Sequence, residues 1–381
     1  MGDFKIQGIT PGAGKIKVGS SNVSKIYNGS TQVWGCAGYI FADNAELYTA
    51  VNLWVSNEAQ AIIDYGQINT WCTGNVTSMI QLFYNKTTFN DDISNWDVSN
   101  VTSMNLMFYT ATAFNQPIGS WDVSNVTNMG AMFSSATSFN QSIDAWDVSN
   151  VTTMQGLFIS ASAFNQDVSS WDVSNVTNIG GMFAYTAFNQ DISGWDVSNV
   201  TNMNSMFTGA SSFNQPLNSW DVSSVTDMHG VFDNATSFNQ PLNSWDVSNV
   251  TEMSDMFKAA TAFNQSLNSW DTSSVTETQN MFYGATVFNG IITSWDVSSV
   301  TSMYGMFRDA PVFNQPIGIW QTGAVVNASG SFGMINVFNG ATVFNKDLST
   351  WCVTNITTEP TNFSANSALT SANKPVWGTC P

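Results

Sequence analysis

The chain has 381 residues, 13% of them aromatic and only 9% charged, with Lys plus Arg 9 against Asp plus Glu 27 for a formal net charge of −18. Such a surface repels phosphate backbones and anionic headgroups, which sets nucleic-acid binding and membrane association aside. Low charge with abundant aromatics also excludes disorder, which needs few apolar residues and much charge.

Residues 1–36 read as a small N-terminal β module. Alternation in KIKV and SKIY, with Asn28-Gly29 between SKIY and STQVW, predicts a β-hairpin with a tight turn. Lys5, Lys15, Lys17 and Lys25 are four of the eight lysines, so this segment is the basic end of an acidic molecule. Gly, Ser and Lys punctuate it where a secretory signal would hold a continuous apolar run, which predicts that it belongs to the mature protein. The stretch is too short for a good core of its own and is expected to gain order by docking.

Residues 37–70 read as a helical entry cap. Asp43 or Asn44 can cap a first helix with Leu47, Val51 and Trp54 on one face. Ser56 or Asn57 can cap a second, and Gly66 suits its C-terminal end.

From Trp71 to about residue 350 one sentence of sequence recurs, written most cleanly as WDVSNVTNMGAMFSSATSFN over 121–140. The tryptophans opening each copy, from Trp71, Trp96 and Trp121 to Trp320 and Trp351, number twelve. Their spacing is 25 residues except for one step of 24 (Trp171 to Trp195) and one of 31 (Trp320 to Trp351). Apolar columns at Val98, Val101, Met104, Met107, Phe108, Ala111, Phe114 and Ile118 repeat from copy to copy. One copy cannot bury such a face alone, so the fold class predicted is a repeat solenoid of about twelve coils. At roughly 4.7–4.9 Å per coil it makes a rod of about 55–60 Å. Met129, Met132, Phe133 and Ala136 fall at i, i+3, i+4 and i+7, which predicts a short helix or 3-10 turn per coil beside short parallel strands. The Trp320 copy is degenerate, and its six extra residues are placed between Phe332 and Ala341. Prolines 360, 375 and 381 make residues 351–381 an exit cap.

The motif WDVSNVTxMxxMFxxAxxFNQ, nearly intact in ten copies, resembles the repeat of the BspA-like leucine-rich repeat surface proteins. That resemblance covers about residues 67–351. It implies a leucine-rich-repeat-like solenoid with roles in attachment and surface display, and it carries no catalytic residues. The N-terminal stretch, of the form KVGSxxVSKIYxGSTxVW, resembles a short module of phage structural proteins.

Chemistry is sought in the polar columns and the cysteines. Cys36 and Cys72 lie at the entry and Cys352 and Cys380 at the exit, where terminal coils fray, so disulfides Cys36–Cys72 and Cys352–Cys380 are expected. Asp97, Asp122, Asp147 and Asp172 begin a file of like charges, explained either by Asx-type corners accepting backbone N–H groups or by calcium bridging between coils. No other cofactor is expected. Asn115, Asn140 and Asn165 belong to a file able to form an amide ladder. The Thr file (Thr77, Thr102, Thr127 onward) raises ice binding as a remote alternative and Asn-X-Thr sequons as a weak one. His229 is the sole histidine, and no phosphate loop, nucleophile elbow or zinc motif is present, so the chain is read as non-enzymatic. Asn105, Gly130, Gln155, His229 and Tyr304 vary from copy to copy on one face, where specificity could lie.

Two functions remain. One is a virion structural protein, extracellular on the particle as a tail fibre, spike or capsid decoration, its N-terminal module joined to the parent viral assembly and its rod facing a host receptor or glycan as part of an oligomer. The other is a cellular adhesin of the BspA-like type. A cellular adhesin needs a signal and an anchor, neither of which this sequence displays, and the virion reading is preferred on that ground.

Overall fold

The computed structural model describes residues 25–28, 31–34, 38–326 and 333–381. Strands β1 (Lys25–Asn28) and β2 (Thr31–Trp34) form an antiparallel hairpin in which Ile26 pairs with Val33 and Asn28 with Thr31. Asn28 is therefore a ladder residue, and the connection starts one step later than the Asn28-Gly29 turn expected. The rest of the predicted module, residues 1–24, 29–30 and 35–36, lies outside the described residues.

Helices α1 (Asn44–Ser56) and α2 (Glu58–Tyr65) form where the capping signals place them. The Asp43 side chain accepts from Glu46 N, and the Asn57 side chain accepts from Gln60 N. Gly66, at φ 77°, closes α2 by donating to Ile62 O. Asn44 is not the cap. Its amide oxygen instead accepts from Thr77 N at 2.9 Å and Ser78 N at 3.3 Å, satisfying the open edge of the first coil.

In the array each copy lies on the next. Thr102 N donates to Thr77 O at 2.9 Å and Met104 N to Asn128 O at 3.0 Å, so Ser103 between them forms a one-residue parallel bridge to both neighbours. These bridges run from Ser78 to Ser302 without interruption, one per coil. Strands of two or more residues do not develop in the described coils, because the chain turns immediately on either side: Val101 N returns to Val98 O, and Met107 N to Met104 O.

The expected helix is absent from the described coils, and a ribbon of β-turns stands in its place. Leu106, Phe108 and Thr110 donate their N–H groups to Gly130, Met132 and Ser134 of the next coil, at 2.9, 2.8 and 2.7 Å. The intervening Met107, Tyr109 and Ala111 close turns within their own coil. Alternate N–H groups thus serve the stack and the turn, and a left-handed residue is needed every fourth position. Leu106 and Thr110 both sit at φ 57°. This path points residues 104, 107, 108 and 111 inward, which is the helical period without the helix.

The apolar columns fill the interior. Trp96 through Trp320 are all nearly fully buried, and each indole donates its Nε1–H to the carbonyl three residues ahead of the preceding tryptophan, as Trp121 does to Ile93 O at 3.2 Å. Rings stack along the axis with near-parallel planes, Trp171 and Trp195 having centroids 6.5 Å apart at 5°. Within a coil, Phe108 packs face to face on Phe114 at 3.9 Å. Each such ring contributes roughly 1.5–3 kcal/mol through burial. Both ends are closed by rings turned edge-on: Phe41, Trp54 and Tyr65 on Trp71 at the entry, and Phe363 on Phe338 and Trp351 at the exit.

Two irregular copies show what the stack tolerates. The 24-residue copy loses a residue beside its alanine column, and buried Thr186 repairs the gap by donating Oγ1 to Phe183 O at 2.7 Å. The insertion of the Trp320 copy is not between Phe332 and Ala341. Val326 still meets Thr301 O, and Met303 N meets Gly333 O, so the extra residues fall between 326 and 333. Phe338 then continues the phenylalanine file, 5.7 Å from Phe307. With the insertion at this corner, every core column stays filled.

Candidate functional site

The coil surface divides into columns whose polar groups are consumed by the stack and columns whose groups are not. Asp97 Oδ1 accepts from Ser99 N at 3.1 Å and Ser99 Oγ at 2.6 Å, an Asx-type corner that Asp122 and Asp147 reproduce. Asp172 accepts from Ser174 N at 3.0 Å. In Asp147 and Asp172 the serine hydroxyl, then the serine N–H, holds the carboxyl below its ordinary range. The like charges of the file are accommodated in this way, each turned to its own serine. Among the described residues no group of three or more His, Cys, Asp or Glu is gathered around a metal position.

The asparagine file works through the backbone. Asn115 Oδ1 accepts from Asn140 N at 3.0 Å and from Gln141 Nε2 at 3.1 Å. Asn140 Oδ1 does the same for Asn165 N and Gln166 Nε2, both at 3.0 Å. A second amide, Asn125, donates to Ser99 O at 2.7 Å. The threonine hydroxyls are likewise engaged, Thr127 Oγ1 lying 3.2 Å from Thr102 O. Cys352 and Cys380 are joined by a disulfide across the exit cap. Cys72 is disulfide-bonded too, and Cys36 lies outside the described residues.

The turn ribbon is different. Its recurrent coil-to-coil bonds are made by the backbone, and side chains at the ninth, tenth, thirteenth and fourteenth positions after each tryptophan add only local ones, such as Asn105 Nδ2 to Gly130 O at 2.8 Å and Thr208 Oγ1 to Gly230 O at 2.7 Å. The copy-to-copy column holding Asn105, Gly130, Gln155, His229 and Tyr304 runs along it. Left-handed geometry at the tenth and fourteenth positions is met by Gly156, Gly181, Gly230, Asn234, Asp255 and Asn280 among others. Recurrent Gly, Asn and Asp there is the sequence signal that marks turns rather than helix.

The ribbon is also divided lengthwise. From Asn105 to Gly209 it carries no charge, and a shallow groove of about 550 Å³ opens across five coils. Glycines 130, 156, 180 and 181 form its floor. Two of the four leave no room for a larger residue as the side chains stand: a Cβ on Gly180 would lie 2.4 Å from Asn204 Oδ1 and one on Gly130 2.8 Å from Asn105 Nδ2. From Asp227 to Asp309 charges appear. Lys258 Nζ lies 3.5 Å from Asp233 Oδ2 and 3.3 Å from Asp255 Oδ1, and the Arg308 guanidinium stands 4.9 Å over the Tyr283 ring. Burial pushes the Asp233 carboxyl above its ordinary value, an effect the Lys258 charge partly offsets. His229, half-buried, donates its backbone N–H to Asp227 Oδ1 at 2.9 Å. Sequence reasoning finds the variable column but neither the groove nor this division.

The family model described as "Mycoplasma protein of unknown function, DUF285" matches residues 51–171, 118–198, 156–269 and 259–377. The chain belongs to that family, whose overlapping matches follow the tandem copies. No curated protein matches it.

Proposed function

We propose that the chain is a non-enzymatic attachment rod, a BspA-like solenoid that displays its turn ribbon to a partner. Residues 1–36 would join an acidic parent assembly, a virion being the assembly to which the N-terminal stretch points. The observation that carries this reading is the division of labour on the coil surface. Asp, Asn, Gln and Thr columns commit their polar groups within the stack in copy after copy, whereas the coil-to-coil bonds that recur along the ribbon are backbone bonds, around which its side chains change. A scaffold that fixes one surface while freeing another suits recognition. The basic end supports the orientation, since Lys5, Lys15, Lys17 and Lys25 precede an array with few cations.

Deleting residues 1–36, combined with Cys72→Ser so that no stray thiol remains, tests the attachment end. The expected outcome is a folded, soluble rod that no longer joins the purified particle. Normal incorporation of the truncated chain would overturn the assignment.

A further inference from the structure

We propose that the glycine-floored groove of the ribbon, between Asn105 and Ser205, binds a neutral oligosaccharide, an inference that rests on the attachment reading and names the ligand class of its recognition surface.

Charge favours a neutral ligand. Every residue lining the groove is uncharged in a chain of net charge −18, so an anionic ligand would find no counter-charge there. The groove is nonetheless polar. Asn105 Nδ2 donates to Gly130 O at 2.8 Å, which fixes that amide at the rim. Gln155 stands exposed above the floor, and its side-chain amide makes no hydrogen bond among the described residues. Ser134 is 3% exposed and lines the groove, yet its hydroxyl has no hydrogen-bond partner among the described residues. That hydroxyl faces the solvent of the groove, where a ligand hydroxyl can take the place of water.

The backbone of the floor excludes an extended peptide. Peptides add to open sheet edges by pairing with free backbone groups. Here the floor has none to offer, because Leu106 N meets Gly130 O, Ala131 N meets Gln155 O, Gly156 N meets Gly180 O, and Gly181 N meets Asn204 O. Side-chain amides and hydroxyls are what remain, and they suit a polyhydroxylated ligand.

Shape agrees with charge. Five coils at roughly 4.7–4.9 Å per step give the groove a length of about 19 Å. Its volume of about 550 Å³ falls within the usual range for small-molecule sites. Tyr109 closes one end, its ring held against Tyr84 with centroids 4.9 Å apart at 8°. A ring fixed in this way offers an apolar face with a polar edge, the surface on which a sugar's C–H face packs while its hydroxyls reach the amides.

The test titrates the full chain with cellohexaose, maltohexaose, mannohexaose and chitohexaose by calorimetry, with a heparin hexasaccharide and hexagalacturonate as acidic counter-probes. At least one neutral hexasaccharide should bind, and neither acidic probe should. Ala131→Trp, which fills the floor, should weaken that binding at least tenfold. Gln155→Ala should weaken it several-fold while leaving the thermal midpoint unchanged, because the exposed amide makes no contact that folding needs. Gln279→Ala, at the matching column of the charged half, should have no effect. Failure of all four neutral probes, preference for an acidic probe, or equal loss in Gln155→Ala and Gln279→Ala would overturn the proposal. Particle incorporation is read separately, so a failed glycan leaves the attachment reading standing and a failed attachment leaves the groove to be judged by calorimetry.

Discussion

The two halves of the turn ribbon, Asn105 to Gly209 and Asp227 to Asp309, share a backbone and share almost nothing on their surface. Each is built of the same alternating turns, over the same Met, Phe and Ala columns, with left-handed residues at the same positions. One half is a neutral groove floored by glycine and the other carries Asp233, Asp255 and Lys258 as ion pairs and Arg308 over Tyr283. Surface identity in this fold is thus decoupled from stability. The Trp, Asn and Asp columns hold the coils together, and the ribbon side chains ride on them.

If the halves are equal underneath, removing a core tryptophan from either should cost the same, and should cost more than any other single change. Trp146 and Trp245, one beneath each half, are each 3% exposed, and their indoles donate to Ile118 O at 3.1 Å and Leu217 O at 2.8 Å. Trp146→Ala and Trp245→Ala should each cost about 3–5 kcal/mol by denaturant titration, from lost burial and the cavity left behind. Costs differing by more than about 1 kcal/mol would mean that the core senses the surface above it.

A lesser loss is expected from the amide file. Asn140 accepts from Asn165 N and Gln166 Nε2, and Asn239 accepts from Asn264 N and Gln265 Nε2. Asn140→Ala and Asn239→Ala should each cost about 1–3 kcal/mol, since a backbone N–H loses its partner. Hydrogen exchange should speed at Asn165 and Asn264 respectively and stay unchanged in the opposite half. Spread of the faster exchange along the whole array would instead mean that the coils unfold only together.

Smaller again is the effect of the left-handed turn positions. A Cβ added at Gly156 (φ 63°) or Gly230 (φ 60°) would lie no closer than 3.5 Å to a neighbouring side chain, so alanine there meets strain without a clash. Gly156→Ala and Gly230→Ala should each cost about 1 kcal/mol. Leu106→Gly, which relieves a leucine held at φ 57°, should be neutral or stabilising by up to about 1 kcal/mol. A clear destabilisation by Leu106→Gly would show that its side-chain packing outweighs its backbone strain.

These positions also explain what can be read from the amino acids alone. The period, the core columns and the Gly66 helix end follow from local patterns, whereas each N-cap is read only to a pair, Asp43 or Asn44 and Ser56 or Asn57, from which the structure selects Asp43 and Asn57. The helical reading fails because i, i+3, i+4 and i+7 describes which residues face inward, and a turn ribbon with a left-handed residue every fourth position satisfies it as well as a helix does. Gly156, Gly181 and Gly230 at equivalent positions carry the distinguishing information, since a helix interior disfavours glycine. Counting from Trp320 misplaces the insertion because it makes Phe332 look like the file phenylalanine, whereas stacking on Phe307 selects Phe338. The groove depends on Gly130, Gly156 and Gly180 being neighbours across coils, a relation that exists only once the copies are in register.

The slightest change is electrostatic, and it separates the halves most directly. Asp147, Asp172, Asp221 and Asp271, spread under both halves, have carboxyls held below their ordinary range, chiefly by serine hydroxyls. A depressed folded pKa contributes stability that is present above the unfolded value of about 3.9 and is lost as pH falls through the folded value. These groups are exposed, so each contribution is small and screened. Asp233, in the charged half, has the opposite sign. Burial raises its folded pKa, so its contribution is full below the unfolded value and is lost as pH rises through the folded one. Asp233→Asn removes that loss while keeping the shape, and Lys258 retains Asp255 as a partner at 3.3 Å. The variant should therefore gain on the wild type as pH rises from about 3.5 to 7, read as a widening difference in thermal midpoint. Asn204→Asp, which places a carboxylate at the end of the neutral groove beside Asp227, should show the reverse cost near pH 7, since Asn204 Nδ2 now donates to Asp227 Oδ2 at 3.3 Å and two carboxylates there would repel. A midpoint difference for Asp233→Asn that stays constant or narrows with rising pH would mean that the Lys258 pairing outweighs burial, and that the charged half is stabilised by its network rather than merely tolerating it.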